Sequence, residues 1–407
     1  MKISITTGTA REGQGGTEIR SARKNTPALW LALLLVLMLF GMACGRMSKP
    51  QGFAEPQLDG DTLYVTLDPG KIASVNASDF SVNWEFPEGK RFACGGDQES
   101  DHDLRAIYGA PLIDGDAVYF GAYDGNVYAV NAEDGSCKWQ SHKATDTAAQ
   151  CQDREPDGPI IGGMALVEGI LYVGSDDGQL YGIDADSGAV HSCVDLGGAI
   201  WTTPLVNDEK LYVTTMEGAV WSARTTRVGD LEPTQIFKTD AALLTDPVLA
   251  GDKLLVGGMG QKLYAIDPEN GEKAWEFGGG NWFWGRPVAD GDIVYATNLD
   301  GKLYAINLAD GEAAWADNAF KADEPIRAGA LISDGVVVVA DRAGNIYSLN
   351  AETGKVEKES LSVIEKRVLA NPVELDGAVL VVTQDGDLYR VEPSGDEPPK
   401  RVTVVEP

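Results

Sequence analysis

The chain has 407 residues, with 33 basic and 62 acidic side chains, a formal net charge of -29 and an isoelectric point near 4.4. That surplus of carboxylates argues against a nucleic-acid platform, which needs clustered Lys and Arg against phosphate. A 43% hydrophobic share beside 23% charged residues excludes disorder as the main state, and leaves two unusual counts: 48 glycines and five cysteines.

The charge is uneven. Residues 1–50 carry a net +5 and residues 51–407 a net -34. After a polar and basic lead over residues 1–27, an uncharged apolar run fills residues 28–44, close to the roughly 20 residues that cross a bilayer as a helix. The basic flank predicts an N-terminus on the cytoplasmic side, with everything after Cys44 outside the cytoplasm. The end of the run, Phe40-Gly41-Met42-Ala43-Cys44, resembles a bacterial lipoprotein signal, which implies lipidation at Cys44; a single-pass signal anchor is the alternative. Either way, residues 45–52 read as a linker to a membrane-tethered domain over residues 53–407.

Within that domain one phrase recurs: an aromatic, a small residue, an aliphatic, then Asp or Asn. It stands at Tyr128–Asn131, Tyr181–Asp184, Tyr264–Asp267, Tyr304–Asn307 and Tyr347–Asn350, with degenerate copies at Ala73–Asn76, Trp221–Arg224 and Tyr389–Glu392. The last five of the intervals between these eight copies are 40 to 43 residues, and two early ones are longer. Around each copy the surroundings repeat. A short strand ending near Pro111, Pro204, Pro247, Pro287 or Pro372 precedes an alternating strand, and Asx-Gly or Glu-Gly turns such as Asp124-Gly125, Asp134-Gly135 and Asp300-Gly301 separate the apolar runs. Such turns are strong hairpin signals, because glycine supplies the positive φ they require. Three hairpin turns join four antiparallel strands, and eight such units predict an all-β, eight-bladed propeller. The first unit supplies its own inner strand and the last can finish with residues 401–405. The ring is therefore predicted to shut by packing blade eight on blade one.

A tryptophan stands eight residues after the Asx in four copies: Trp84, Trp139, Trp275 and Trp315. The run from Tyr264 to Trp275 resembles the PQQ-like repeat of quinoprotein dehydrogenases and BamB-type lipoproteins. The resemblance implies that these tryptophans dock between neighbouring blades. Ser192 and Lys358 replace the tryptophan in blades three and seven, and blades four and eight have no clear equivalent.

The two long intervals hold insertions after the fourth strands of the first two blades, residues 89–104 and 141–159. With Cys44 assigned to the membrane segment, Cys94, Cys137, Cys151 and Cys193 remain in an oxidising compartment, where three pairings are open. Two insertions on one face favour Cys94 with Cys151, which leaves Cys137 with Cys193. The rival reading is a metal site from Cys94, Cys151, His102 and nearby carboxylates, but no ligand spacing supports it. His142 and His191 complete a sparse histidine set. Asp184-Ala185-Asp186-Ser187-Gly188 has its glycine one place too early for a calcium loop and reads as a turn.

The repeat motif is a packing device, so no catalytic residue, metal or cofactor is expected. No adjacent cysteine pair accompanies the quinoprotein resemblance. For interaction the strongest candidates are Trp282, Phe283, Trp284 and Arg286 beside the glycine run 278–280, with Arg327 and Asn371 at the channel mouth, because Trp and Arg dominate interface hot spots. The expectation is a monomeric, non-catalytic extracytoplasmic scaffold that binds an envelope protein. Through the BamB resemblance, outer-membrane protein assembly is implied. A cell-surface ligand or glycan sensor and a PQQ-dependent oxidoreductase are the alternatives.

Overall fold

The architecture follows from turn chemistry repeated eight times. A computed structural model describes residues 52–67, 70–89, 91–94, 100–101, 104–143, 156–225, 231–392 and 400–402; the lead, the apolar segment with Cys44, and most of the linker lie outside the described residues. Pro50–Pro407 is one unit whose described residues form eight blade sheets and a two-stranded ribbon, Arg91–Phe92 with Ser100–Asp101, and contain no helix. The blades span residues 57–86, 112–140, 164–195, 205–238, 248–278, 288–321, 331–363 and 373–402. Within each, every strand pairs antiparallel with its neighbour in the chain, so the eight-bladed, four-stranded expectation holds.

Two details differ from expectation. The prolines come before the inner strands, which run Leu112–Asp114, Leu205–Asn207, Val248–Ala250, Val288–Asp290 and Val373–Leu375. Proline has no N–H for the ladder and so sits ahead of the strand. Blade three also gains a fifth strand, His142–Lys143, which lies parallel to Ala189–Val190 at the blade's outer edge.

The repeated phrase does three jobs. Its aromatic is buried in four copies, and in three of them the phenol reaches back to the Asp of the preceding turn: Tyr128 to Asp124 (2.6 Å), Tyr181 to Asp177 (2.7 Å) and Tyr304 to Asp300 (2.7 Å). A buried hydroxyl needs such an acceptor. Its aliphatic fills the sheet-to-sheet core, as Val130, Ile183, Ile266 and Ile306 do. Its Asx accepts backbone N–H groups two or three residues on, for example Glu133 to Asn131 (2.9 Å) and Ser187 to Asp184 (2.8 Å), which shapes the third turn.

That third turn carries the next seam. Trp84, Trp139, Trp275 and Trp315 donate their indole N–H to the carbonyls of Ala132, Ala185, Leu308 and Ala351 in the following blade, at 2.8–2.9 Å. Each ring lies on a turn glycine of that blade. At Gly311, with φ +77°, an added Cβ would come within 2.7 Å of the Trp275 ring, and at Gly354 within 2.4 Å of Trp315. The position is glycine both for its dihedral and for the ring above it. Ser192, Thr234, Lys358 and Lys400 hold the equivalent ladder positions in the other four blades. The ring closes where Leu63, Val65, Ala73 and Val75 of blade one pack with Leu380, Val382 and Leu388 of blade eight.

The disulfide pairing departs from the sequence expectation: Cys94 is bonded to Cys137, with 5.0 Å between their Cα atoms. Residues 91–94 of the first insertion fold back over the flank of blades one and two. Phe92 wedges there against Phe86 and Tyr128, with ring centroids 4.7 and 6.1 Å apart. This sets the buried Cys94 over the start of the strand Cys137–Gln140. Both expected pairings, Cys94 with Cys151 and Cys137 with Cys193, are thereby excluded. Cys193 is itself disulfide-bonded. Cys151 and His102 lie outside the described residues, and the bonded Cys94 is lost to any metal site.

Candidate interaction site in the axial cavity

Each blade is entered by a short extended segment, and these eight segments converge on the propeller axis. The residue three places before the inner strand's proline, or its equivalent, lines a single cavity of about 970 Å³. Phe53, Tyr108, Ile161 and Trp201 come from blades one to four, and Leu244, Trp284, Arg327 and Leu369 from blades five to eight. Seven of the eight are apolar or aromatic, and Arg327 is the exception. The residue directly before the proline forms a second, polar tier: Glu55, Thr203, Asp246, Arg286 and Asn371 all line the same cavity.

The polar tier is largely self-satisfied. Glu55 accepts from Arg286 Nη2 and from Asn371 Nδ2, both at 2.9 Å, which ties blade one to blades six and eight across the axis. Asn371 Oδ1 in turn accepts the N–H of Gly329 at 2.6 Å. Asp246 accepts the N–H of Thr203 at 2.7 Å. Desolvation pushes its carboxyl above the usual range, with the Thr203 bond and the Arg286 charge pulling the other way.

Arg327 is held differently. Its guanidinium carbon lies 4.3 Å from the Trp284 ring centroid and 4.7 Å from that of Phe53, so two rings flank it. Among the described residues it makes no ion pair, and its buried Nε has no hydrogen-bond partner there. Burial lowers its pKa to about 10; the charged or titratable groups that bear on it are Tyr108 and Arg342, and neither is a carboxylate. Arg342, exposed on a loop of blade seven, is the one whose charge bears on Arg327, and Arg367, also exposed, stands on the entry segment of blade eight two residues before Leu369. Their carbonyl or N–H groups join the bonds that link each loop to the entry segment beside it: Arg342 N to Pro325 O (2.8 Å) and Gln384 N to Arg367 O (2.7 Å).

The aromatic run 282–284 divides. Trp282 and Trp284 are half-exposed and stacked, with centroids 6.4 Å apart. Phe283 is 1% exposed and belongs to the core between blades five and six, packed with Trp275, Leu263 and Tyr304, so it is no surface contact. The alternation of an extended segment puts the middle ring on the opposite side from its neighbours. Nor is the glycine run a loose hinge. Gly280 N donates to Asp300 at 3.1 Å, and a Cβ at Gly279 would meet Asn298 at 2.4 Å. Glu55, Asp246, Phe53 and Ile161 were missed by sequence reasoning. Glu55 and Asp246 share with Arg286 and Asn371 the place before a proline, a register that was available to find them. Asp184–Gly188 is a turn held by Ser187 bonds to Asp184, and the described residues hold no cluster of three potential metal ligands.

Together the ring of strands, the tryptophan seams and the converging entry segments define the class: an eight-bladed propeller of PQQ-type repeats. The sequence profile described as outer membrane protein assembly factor BamB matches residues 41–157, 152–228, 218–327 and 319–397, and the chain belongs to that family. It is 30% identical over 173 residues to the outer membrane protein assembly factor BamB of Alkalilimnicola ehrlichii, a match covering 41% of this chain and 39% of that protein. To the protein of the same name from Burkholderia pseudomallei it is 25% identical over 170 residues, 41% of each chain. The matched stretch thus spans about two fifths of these curated relatives. The crystal structure of BamB from Moraxella catarrhalis is similar in fold, with a TM-score of 0.62 at 16% identity over 82% of this chain and 92% of that one. So is the computationally designed Ika8 protein, with a TM-score of 0.65 at 14% identity over 85% of this chain and 98% of that one.

Proposed function

We propose that this propeller is a non-catalytic scaffold, tethered to a membrane through residues 28–44 and displayed outside the cytoplasm. There it holds an envelope protein during assembly of outer-membrane proteins. Family membership across the propeller carries the reading, since the relatives are named as assembly factors. The arrangement of the axial face supports it. Trp282 and Trp284 offer a stacked, half-exposed aromatic pair beside Arg286 and Arg327, the residue types that anchor protein interfaces. The paired disulfide chemistry at Cys94 and Cys137 suits an oxidising compartment.

A photo-crosslinking residue placed at Trp282 in the full chain, in cells, tests the proposal. The same residue at Val356, 42% exposed at the start of an outermost strand, is the control. The expected result is one specific adduct with an envelope protein from position 282 and none from 356. No adduct at 282, or the same adducts at both positions, refutes the proposed docking face.

A further inference from the structure

The axial cavity contains a cation with no counter-ion among the described residues, in a chain that carries nearly twice as many acids as bases. We propose that the cavity is a recognition site for a carboxylate on an aromatic polypeptide segment of the partner, with Arg327 as the anchor and Arg342 and Arg367 as the rim that draws it in. The inference rests on the scaffold reading above and names the chemistry of what the scaffold holds.

Three observations carry it. First, Arg327 is fixed but unneutralised: its faces rest on Trp284 and Phe53, and among the described residues no carboxylate pairs with it. A guanidinium stacked in this way presents its edge, where a carboxylate binds in bidentate fashion. Second, the neighbouring acids do not compete. Glu55 is committed to Arg286 and Asn371, Asp246 to Thr203, and Asp176 accepts from the Trp201 indole at 2.6 Å. Third, the rest of the tier is aromatic or aliphatic, and about 970 Å³ holds several side chains. An isolated acid would leave that surface wet, whereas an acid flanked by rings covers it. Arg342, whose charge bears on Arg327, and Arg367, two residues before the cavity-lining Leu369, are exposed cations in an otherwise acidic domain, placed for electrostatic steering.

The full chain in detergent is titrated with N-acetyl-Phe-Asp-Phe-amide, with its Phe-Asn-Phe counterpart and with phenylacetate, reading tryptophan fluorescence, to which Trp284 reports directly. The acidic peptide is expected to saturate the signal at least tenfold more tightly than the Asn peptide or phenylacetate. Arg327→Met, which keeps an apolar stem between the two rings, should abolish that preference, and Arg327→Lys should restore part of it. Arg342→Ala with Arg367→Ala should slow association and flatten its salt dependence. Equal binding of acid and amide, phenylacetate binding as tightly as the peptide, or an unchanged preference in Arg327→Met would overturn the proposal. The acid-to-amide comparison stands on the native protein even where a variant misfolds. A crosslink at Trp282 that persists in Arg327→Met, together with no peptide preference, removes this inference and leaves the scaffold. Peptide preference without any crosslink does the reverse.

Discussion

Trp275 and Gly311 provide a direct test of how one blade holds the next. Trp275 is 6% exposed, donates to Leu308 at 2.8 Å, and rests on Gly311, where φ is +77°. Removing the ring by Trp275→Ala should cost about 3–5 kcal/mol through the lost burial and cavity. About 1 kcal/mol of that is the hydrogen bond to the Leu308 carbonyl. Gly311→Ala strains a left-handed residue, at about 1–2 kcal/mol, and drives a Cβ to 2.7 Å from the indole. Only the strain survives when the indole is gone, so the two substitutions should not add. Urea unfolding of wild type, both single variants and the double variant, followed by circular dichroism, measures the coupling. The expected outcome is a double variant at least 1 kcal/mol more stable than the sum of the singles predicts. Strict additivity would show that the ring does not rest on this glycine, and the account of the seam would fall with it.

Two further predictions concern covalent and ionisable groups. Non-reduced peptide mapping should recover Cys94 linked to Cys137; replacing both cysteines by serine should lower stability by about 4 kcal/mol, the chain-entropy value for a 43-residue separation, seen as a lower unfolding midpoint. Recovery of Cys94 linked to any other cysteine would refute the described path of the first insertion. Asp246 has a folded-state pKa above its ordinary 3.8, with desolvation as the main cause. A raised carboxylate pKa means the charged form is disfavoured in the fold, so its contribution is best below the unfolded pKa and is lost as pH rises through the folded one. Asp246→Asn should therefore match wild type in melting temperature near pH 4 and exceed it by a growing margin towards pH 7. A margin that is constant or shrinks with pH would contradict the sign.

Much of this fold is legible because its determinants are local. The Asp–Tyr bond spans four residues, the Asx turn two or three, and the tryptophan stands a fixed eight residues on, so each blade announces itself within a short window. The seams are legible for the same reason, since turn and tryptophan recur in register. What the sequence hides depends on the path of longer segments. Cys94 pairs with Cys137 because Phe92 takes the insertion back onto Phe86 and Tyr128, and no spacing rule encodes that wedge. Phe283 shares a run with two half-buried tryptophans, and only the extended backbone sends it into the core. The fourth strand of blade four, Thr234–Lys238, follows a long connection and carries Thr234 where four of the blades carry tryptophan, which erases its signature. The axial tiers lie between these extremes: the place before the proline marks Glu55, Asp246, Arg286 and Asn371, but their bonds across the axis need the closed ring.

The isolation of Arg327 has a geometric origin that composition opposes. With 62 acidic side chains against 33 basic ones, an arginine placed at random should find a carboxylate. The repeat prevents it. Each entry segment contributes the same register, so the neighbours of Arg327 around the tier are the matching residues of other blades, and all of those are apolar or aromatic. Acids occur one step deeper, before the prolines, where Glu55 meets Arg286 and Asn371 instead. A carboxylate able to reach Arg327 must therefore come from outside the ring, entering along the axis past Trp284 and Phe53. Folding leaves the charge desolvated and, among the described residues, unpaired, a net burden on the free protein that two aromatic faces only partly offset. Binding an acid there would remove that burden, so stability forgone in the free propeller becomes affinity in the complex.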